Sequence, residues 1–374
     1  MAAIQHLKEE GSLLTFTISG VDVSYANALR RIILSNIPTC VFDTTNPNSC
    51  NITINSTNLH NEIIKQRLGC IPIHLNHILD HDLDSLVVEL DVENKTDTIL
   101  VVTTEDFKIK NLATGAYIDD GKLRQIFPPF IPQTGKGEYF IDIVRLKPRL
   151  TEEIPGNKIK LSCGLKMATA AEDSMYNVVG TCSYGCTTDD AKMKEQLEIR
   201  KQKWADEDKT TEEINFNAHN WVLLEGKRYI ITKSFDFVLE SVGVYENTDI
   251  MMKACDILSH KFITFSEQLE RDEITMDKSE NTLENCYDVI LENEDYTMGN
   301  IFNYEIYTTF YIDLNVVNYV GFKKMHPHDT NSILRISITD ATKSKTYLKS
   351  ILKATCEEVV KKTSAIKGLF NGRR

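Results

Sequence analysis

With 374 residues, 42% of them hydrophobic, the chain is long enough for two or three domains with a sizeable core, and its formal charge of −12 argues against a protein whose main task is gripping phosphate backbones. No apolar run reaches the roughly 18–20 residues that span a bilayer, Met1 to Glu10 lacks the apolar stretch of a signal peptide, and nine cysteines, from Cys40 to Cys356 without paired short spacings, suit free thiols in a reducing compartment. The expectation is a soluble, intracellular protein that makes no membrane contact and touches DNA indirectly at most.

In chain order, Leu14, Phe16 and Ile18 alternate as half-buried strands do. Ser24 is then suited to a helix N-cap, and Tyr25, Leu29, Ile32 and Ile33 share one helical face until Pro38 stops it. Residues 41–205 read as an inserted, mainly β domain, with strand signals at Leu86, Val88, Leu90 and Val92, at Ile99 to Val102, at Tyr139, Ile141 and Ile143, and at Ile159 to Leu161. Pro128-Pro129 and Pro132 bracket a turn-rich connection inside it. The charged stretch from Asp189 to Glu213 reads as a solvated helix or flexible excursion.

Phe235, Phe237 and Leu239 form the next strand, and Met251, Ala254, Leu258, Phe262, Phe265 and Leu269 trace a long helical seam behind it. A polar stretch, Arg271 to Asn285, separates this seam from a second series. Val289 and Leu291 alternate, Thr297 is suited to a second N-cap, and Phe302, Ile306 and Phe310 recur every four residues. Leu334, Ile336 and Ile338 follow as a strand, and Leu348, Ile351, Leu352, Thr355, Val359 and Ile366 as a second long stripe.

The order strand, helix, strand, helix thus occurs twice, and the helix starts Ser24-Tyr25-Ala26-Asn27 and Thr297-Met298-Gly299-Asn300 match in kind. This predicts an α+β protein in which two related half-domains, 1–40 with 206–275 and 276–374, pair through their long helices as an intramolecular pseudo-dimer. The 41–205 insert interrupts the first, and Arg271 to Asn285 is the candidate joint. A monomer is expected, because the dimer seam is satisfied within one chain.

Chemistry-bearing clusters are sparse. Cys182 and Cys186 offer two zinc ligands where a structural site takes four. His74, His77 and His81 with Asp80 and Asp82 make a denser set, which reads either as a polar loop or as the metal site of an enzyme. Gly135-Lys136-Gly137 lacks phosphate-loop spacing, and His326 and His328 flanking Pro327 read as an interface loop. No nucleophile or metal-catalysis motif stands in a credible context.

Ser24 to Thr39 resembles the first-helix signature of the alpha-type assembly subunits of multisubunit RNA polymerases, Arg67-Leu68-Gly69-Cys70-Ile71-Pro72 their second signature, and Phe237 to Gly243 the strand returning to their dimerisation domain. Glu294-Asp295-Tyr296-Thr297-Met298-Gly299-Asn300 and Val320 to His328 resemble two segments of the smaller partner subunit. The whole chain looks like the third and eleventh subunits of the RNA polymerase II type, or archaeal D and L, fused as in large DNA viruses.

The resemblance implies a non-catalytic platform that docks the largest and second-largest polymerase subunits, with small subunits as further partners, in a nucleus, a cytoplasmic viral factory or a virion. It puts docking contacts at Asn27, Arg30 and Arg31 and at Arg67, Leu68, Gly69 and Pro72. It puts the pairing seam at Leu258, Phe262, Phe265, Gly299, Asn300, Phe302, Leu352 and Val359. Some relatives carry a cysteine cluster in the insert; no Cys lies between Cys70 and Cys163 here, so no cofactor is expected. Met167 to Tyr176 also departs from the relatives' glycine-rich segment.

Overall fold

The computed structural model describes residues 2–74, 83–132, 135, 137–280, 284–340 and 345–371. Two compact units emerge, one of Met1–Ile33, Thr181–Glu240 and Asn247–Arg374, the other of Leu34–Gly180 with Ser241–Glu246.

The chain opens with an antiparallel pair, β1 (Ala3–Glu10) and β2 (Leu13–Ser19), turned at Gly11, whose φ of +61° suits a residue without a Cβ. Next comes α1 (Val23–Ser35). The second unit supplies β3 (Thr39–Phe42), β4 (Cys50–Asn55), α2 (Asn61–Gly69), β5 (Leu86–Glu93), β6 (Leu100–Thr103), β7 (Lys108–Asn111), α3 (Asp120–Ile126), β8 (Asp142–Leu146) and β9 (Lys158–Ala168). Its main sheet has the order β3-β9-β5-β7, with β4 also paired to β9, and β6 pairs with β8. Phe42, Phe107 and Phe127, with ring centroids 5.2–6.2 Å apart, centre its core. This unit is mainly β.

The alternation at Tyr139, Ile141 and Ile143 is not one strand. Tyr139 makes an isolated bridge to Phe130, and β8 starts only at Asp142. Ile141 instead exchanges bonds with Thr104, donating its amide to the Thr104 hydroxyl at 3.3 Å and accepting the Thr104 amide at 3.0 Å.

Returning, the chain forms β10 (Val179–Thr188), α4 (Asp190–Asp206), α5 (Thr211–Leu223), β11 (Ile230–Ser241) and α6 (Asn247–Glu270). The charged stretch is therefore two helices, the second opened by a reciprocal Thr210 and Glu213 capping box. No residue of α4 is buried. Both helices belong to the first unit, which the chain re-enters at Thr181.

The chain finishes with β12 (Met276–Lys278), β13 (Cys286–Leu291), α7 (Tyr296–Ile306), β14 (Val317–Lys323), β15 (Ser332–Ile338) and α8 (Lys345–Gly368). Two four-stranded sheets result, of order β1-β2-β11-β10 and β12-β13-β15-β14. They correspond strand for strand. In each, a short helix (α1 or α7) follows the second strand, the last two strands in sequence lie side by side, and a 24-residue helix (α6 or α8) follows.

Two local expectations shift. The side chains capping α1 and α7 lie two positions before Ser24 and Thr297: Asp22 Oδ1 accepts the Ser24 amide at 2.9 Å, and Asp295 Oδ1 the Thr297 amide at 2.8 Å. A carboxylate is the stronger acceptor at a helix start, and the Ser24 hydroxyl itself donates to Asp22 at 2.8 Å. The stripe through Phe302 and Ile306 also fails to reach Phe310. Beyond Ile306 the backbone widens into a π-helical turn, Tyr307–Asp313, where Thr308 donates its hydroxyl back to the Tyr304 carbonyl at 2.9 Å. Phe310 is half-buried there.

Across β13 and β15, Asp288 faces Arg335, which grips it from Nε and Nη2, both at 2.6 Å. These bonds outweigh partial burial and hold the Asp288 carboxyl below the usual range. Stability from this pair should be fully present above the unfolded aspartate value of about 3.9 and lost as pH falls through the lowered folded value. Acid titration of unfolding checks this: Arg335→Met should flatten that limb.

Candidate functional site

The candidate site residues fall into two groups, one in each compact unit. In the first unit, α6 and α8 run antiparallel, as their cross-pairs show: Lys367 Nζ meets the Asp256 carboxylate at 2.6 and 2.7 Å, and Lys353 Nζ meets Glu270 Oε1 at 2.5 Å. Leu258 and Phe262 of α6 and Leu352 and Val359 of α8 are each 0% exposed, which makes this a core rather than a surface contact. Phe302 of α7 sits against Phe262 and Phe265 with centroids at 4.9 and 5.0 Å. Past α8, buried Phe370 packs edge-on to Phe16, itself stacked on Phe237 across β2 and β11. The last helix thus reaches the first sheet.

Polar contacts tie α1 and α6 to the α7 segment. Tyr25 donates its hydroxyl to Glu305 Oε1 at 2.7 Å, and Lys362 Nζ reaches the same carboxylate at 2.8 and 2.9 Å. Glu305 is 1% exposed, so these donors replace its water. Arg31 donates from Nε to the Thr297 hydroxyl at 2.8 Å and from Nη2 to Asp295. Lys261 Nζ meets Glu294 Oε1 at 2.6 Å. Burial raises the Glu294 carboxyl and Lys261 only partly offsets it, whereas at Asp295 bonds from Thr297 and Arg31 outweigh burial and lower it.

These contacts separate the two neighbouring arginines. Arg31 is engaged inside the unit. Arg30 rests on its own helix, with Nε and Nη2 3.1 and 3.0 Å from Asn27 Oδ1, and both residues are half-buried. Gly299 packs so closely against β14 that a Cβ there would overlap the Phe322 ring. Asn300, one residue on, is half-buried.

In the second unit, Arg67 donates from Nη1 to the Ile143 carbonyl at 2.8 Å and fastens α2 to β8. Leu68 is 0% exposed. A Cβ on Gly69 would stand 2.5 Å from Met175 Sδ, so the helix end is glycine for close approach. Pro72 is half-buried just beyond. An open groove of about 640 Å³ runs beside this segment, lined in part by Gln66, Arg67, Ile71, Ile141 and Arg145. Within the signature, Leu68 and Gly69 are held by packing, while Arg67, Cys70 and Ile71 line the groove.

Of the histidine cluster, His77, His81, Asp80 and Asp82 lie outside the described residues. The His74 amide donates to the Ile126 carbonyl at 3.2 Å. Among the described residues no three metal-ligating side chains gather. Cys182 is buried on β10, which pushes its thiol up to about 12, and Cys186 is exposed. No described helix is long and apolar enough to cross a membrane.

Neither Glu305 nor Lys261 belongs to a motif in the sequence, and the Glu294 motif does not name Lys261 as its partner. Glu305 had a visible signal, as a carboxylate beside Ile306 on an otherwise apolar stripe.

The mixed α/β architecture with antiparallel sheets agrees with the comparison to known families. The chain belongs to the RNA polymerase Rpb3/Rpb11 dimerisation domain family, which it matches over residues 15–262. It is similar to DNA-directed RNA polymerase subunit Rpo3 of Methanosphaera stadtmanae, 25% identical over 285 residues that cover 69% of this chain and 95% of that one. Subunit rpac1 of DNA-directed RNA polymerases I and III of Dictyostelium discoideum is 28% identical over 191 residues, 48% of this chain and 51% of that one. Rpo3 of Thermococcus kodakarensis is 38% identical over 97 residues, 25% and 36% of the two chains. The matched stretches thus span about half of the Dictyostelium relative and about a third of the Thermococcus one.

Proposed function

We propose that this chain is a non-catalytic assembly subunit of a multisubunit DNA-directed RNA polymerase, and that it supplies both alpha-like half-domains from one polypeptide. The observation that carries the reading is the strand-for-strand correspondence of the two sheets. The family match ends at residue 262, inside α6, so the segment from β12 to α8 joins the argument through its topology. In this reading β1, β2, α1, β10, β11 and α6 form the third-subunit-like half, β12 to α8 the eleventh-subunit-like half, and the second compact unit is the insert. A fusion of this type points to a large DNA virus as the source.

The platform docks the largest and second-largest subunits, the insert takes small subunits, and any DNA contact is indirect. Asn27 and Arg30 on α1 and Arg67 beside the insert groove are the proposed docking contacts. Arg31 serves the internal seam instead. Arg30→Glu should therefore reduce recovery of the second-largest subunit with the tagged chain at least tenfold while leaving its melting temperature unchanged. Arg31→Glu should lower the melting temperature as well. Equal recovery with Arg30→Glu and wild type would remove Arg30 from the docking face.

A further inference from the structure

The two long helices carry opposite charges at equivalent places. Their buried positions align at a constant offset, Ala254 with Ile351, Leu258 with Thr355 and Phe262 with Val359. The same offset sets Asp256 opposite Lys353 in the alignment and Glu270 opposite Lys367. In space the contacts are crossed: Lys367 pairs with Asp256 and Lys353 with Glu270. The two ion pairs are thus exchanged by the twofold relation between the helices, with both acids on α6 and both bases on α8.

We propose that Asp256, Glu270, Lys353 and Lys367 form a charge code that makes this seam selective for unlike helices, so that the two halves of the chain pair with each other and reject like halves from a second copy. The inference rests on reading α6 and α8 as counterparts in equivalent half-domains. An α6 paired with another α6 would set Asp256 against Glu270 twice, and an α8 paired with another α8 would set Lys353 against Lys367 twice. Each native pair is partly exposed and attracts weakly. Selectivity comes from the difference between matched and like-charge pairings, as at the flanking positions of coiled coils. Deeper contacts run one way too: Arg31 and Lys261 serve the acids Asp295 and Glu294. At the places equivalent to those cations, the second half has Tyr304 and Glu358. A second-half pair would therefore bury carboxylates without cations.

The test uses full-length chains. An all-basic variant, D256K/E270K, an all-acidic variant, K353E/K367E, and the four-site swap are compared with wild type in low salt. The all-basic and all-acidic chains should melt lower by at least about 2 °C, and the swap should return to the wild-type value, with the differences shrinking at high salt. Co-expressed, the all-basic and all-acidic chains should be recovered as a 1:1 heterodimer by native mass spectrometry, each α6 finding the other chain's α8. A swap that melts as low as both changes added together would overturn the code, as would co-expressed variants recovered only with themselves or as separate monomers. Polymerase co-purification of the wild-type chain is independent of these readouts, so the charge code and the platform reading fail separately.

Discussion

Phe302→Ala should destabilise the first compact unit by about 3–5 kcal/mol, the range for removing a fully buried aromatic ring. Phe302 is 0% exposed and its ring lies within 5.0 Å of both Phe262 and Phe265, so the cavity opens where α6 and α7 meet. Those flanking rings are held by the α6–α8 seam and relax little into the gap, which puts the loss toward the upper end. Urea unfolding followed by hydrogen exchange checks this, because exchange assigns the loss to a unit. Amides of α6, α7 and α8 should lose protection together, while those of β5 and β9 keep theirs. A loss below about 1 kcal/mol would mean that the aromatic contact is not part of the core.

The second large effect is expected at Glu305. This carboxylate is nearly sealed from water and depends on Tyr25 and Lys362 for its hydrogen bonds. Burial first, then the neighbouring Glu305 charge, pushes the Tyr25 hydroxyl far above its ordinary value, so it remains a donor at any workable pH. Glu305→Ala leaves that buried hydroxyl without its acceptor and should cost about 3 kcal/mol. Lys362 is partly exposed, so in the variant its ammonium, freed from Glu305, can turn to solvent, which limits the damage on that side. Replacing both buried partners, as in Tyr25→Phe with Glu305→Leu, should cost less than the separate changes added together. Additive losses in the double-mutant cycle would show that the two side chains do not act as a unit.

Much of the first unit is legible in the sequence because periodicity reports burial. The stripes of α6 and α8 and the alternations of β2, β11 and β15 coincide with elements of the structure, since a helix or strand with one apolar face has a single way to bury it. Periodicity does not report which polar groups meet across the fold. Arg31 and Asp295 are 264 positions apart, and nothing local says that the arginine turns inward while Arg30 leans on Asn27. The carboxylate caps of α1 and α7 were hidden for a related reason: serine and threonine at the helix start looked sufficient by type, and an aspartate two residues earlier is the stronger acceptor. In the second unit the Arg67 to Pro72 segment stood out as a docking motif, yet Leu68 and Gly69 are fixed by packing against neighbours distant in sequence, which leaves Arg67, Cys70 and Ile71 beside the groove.

The central claim is that this chain is the platform on which a polymerase assembles. Affinity purification of the tagged full-length chain from its native source, with mass spectrometry of everything retained after a high-salt wash, tests it most directly. The account predicts recovery of the two largest polymerase subunits near one-to-one with the chain, and no separate alpha-like or eleventh-subunit-like partner beside them. Recovery of the chain without large polymerase subunits, or of a polymerase that already contains a separate eleventh-type subunit, would contradict it.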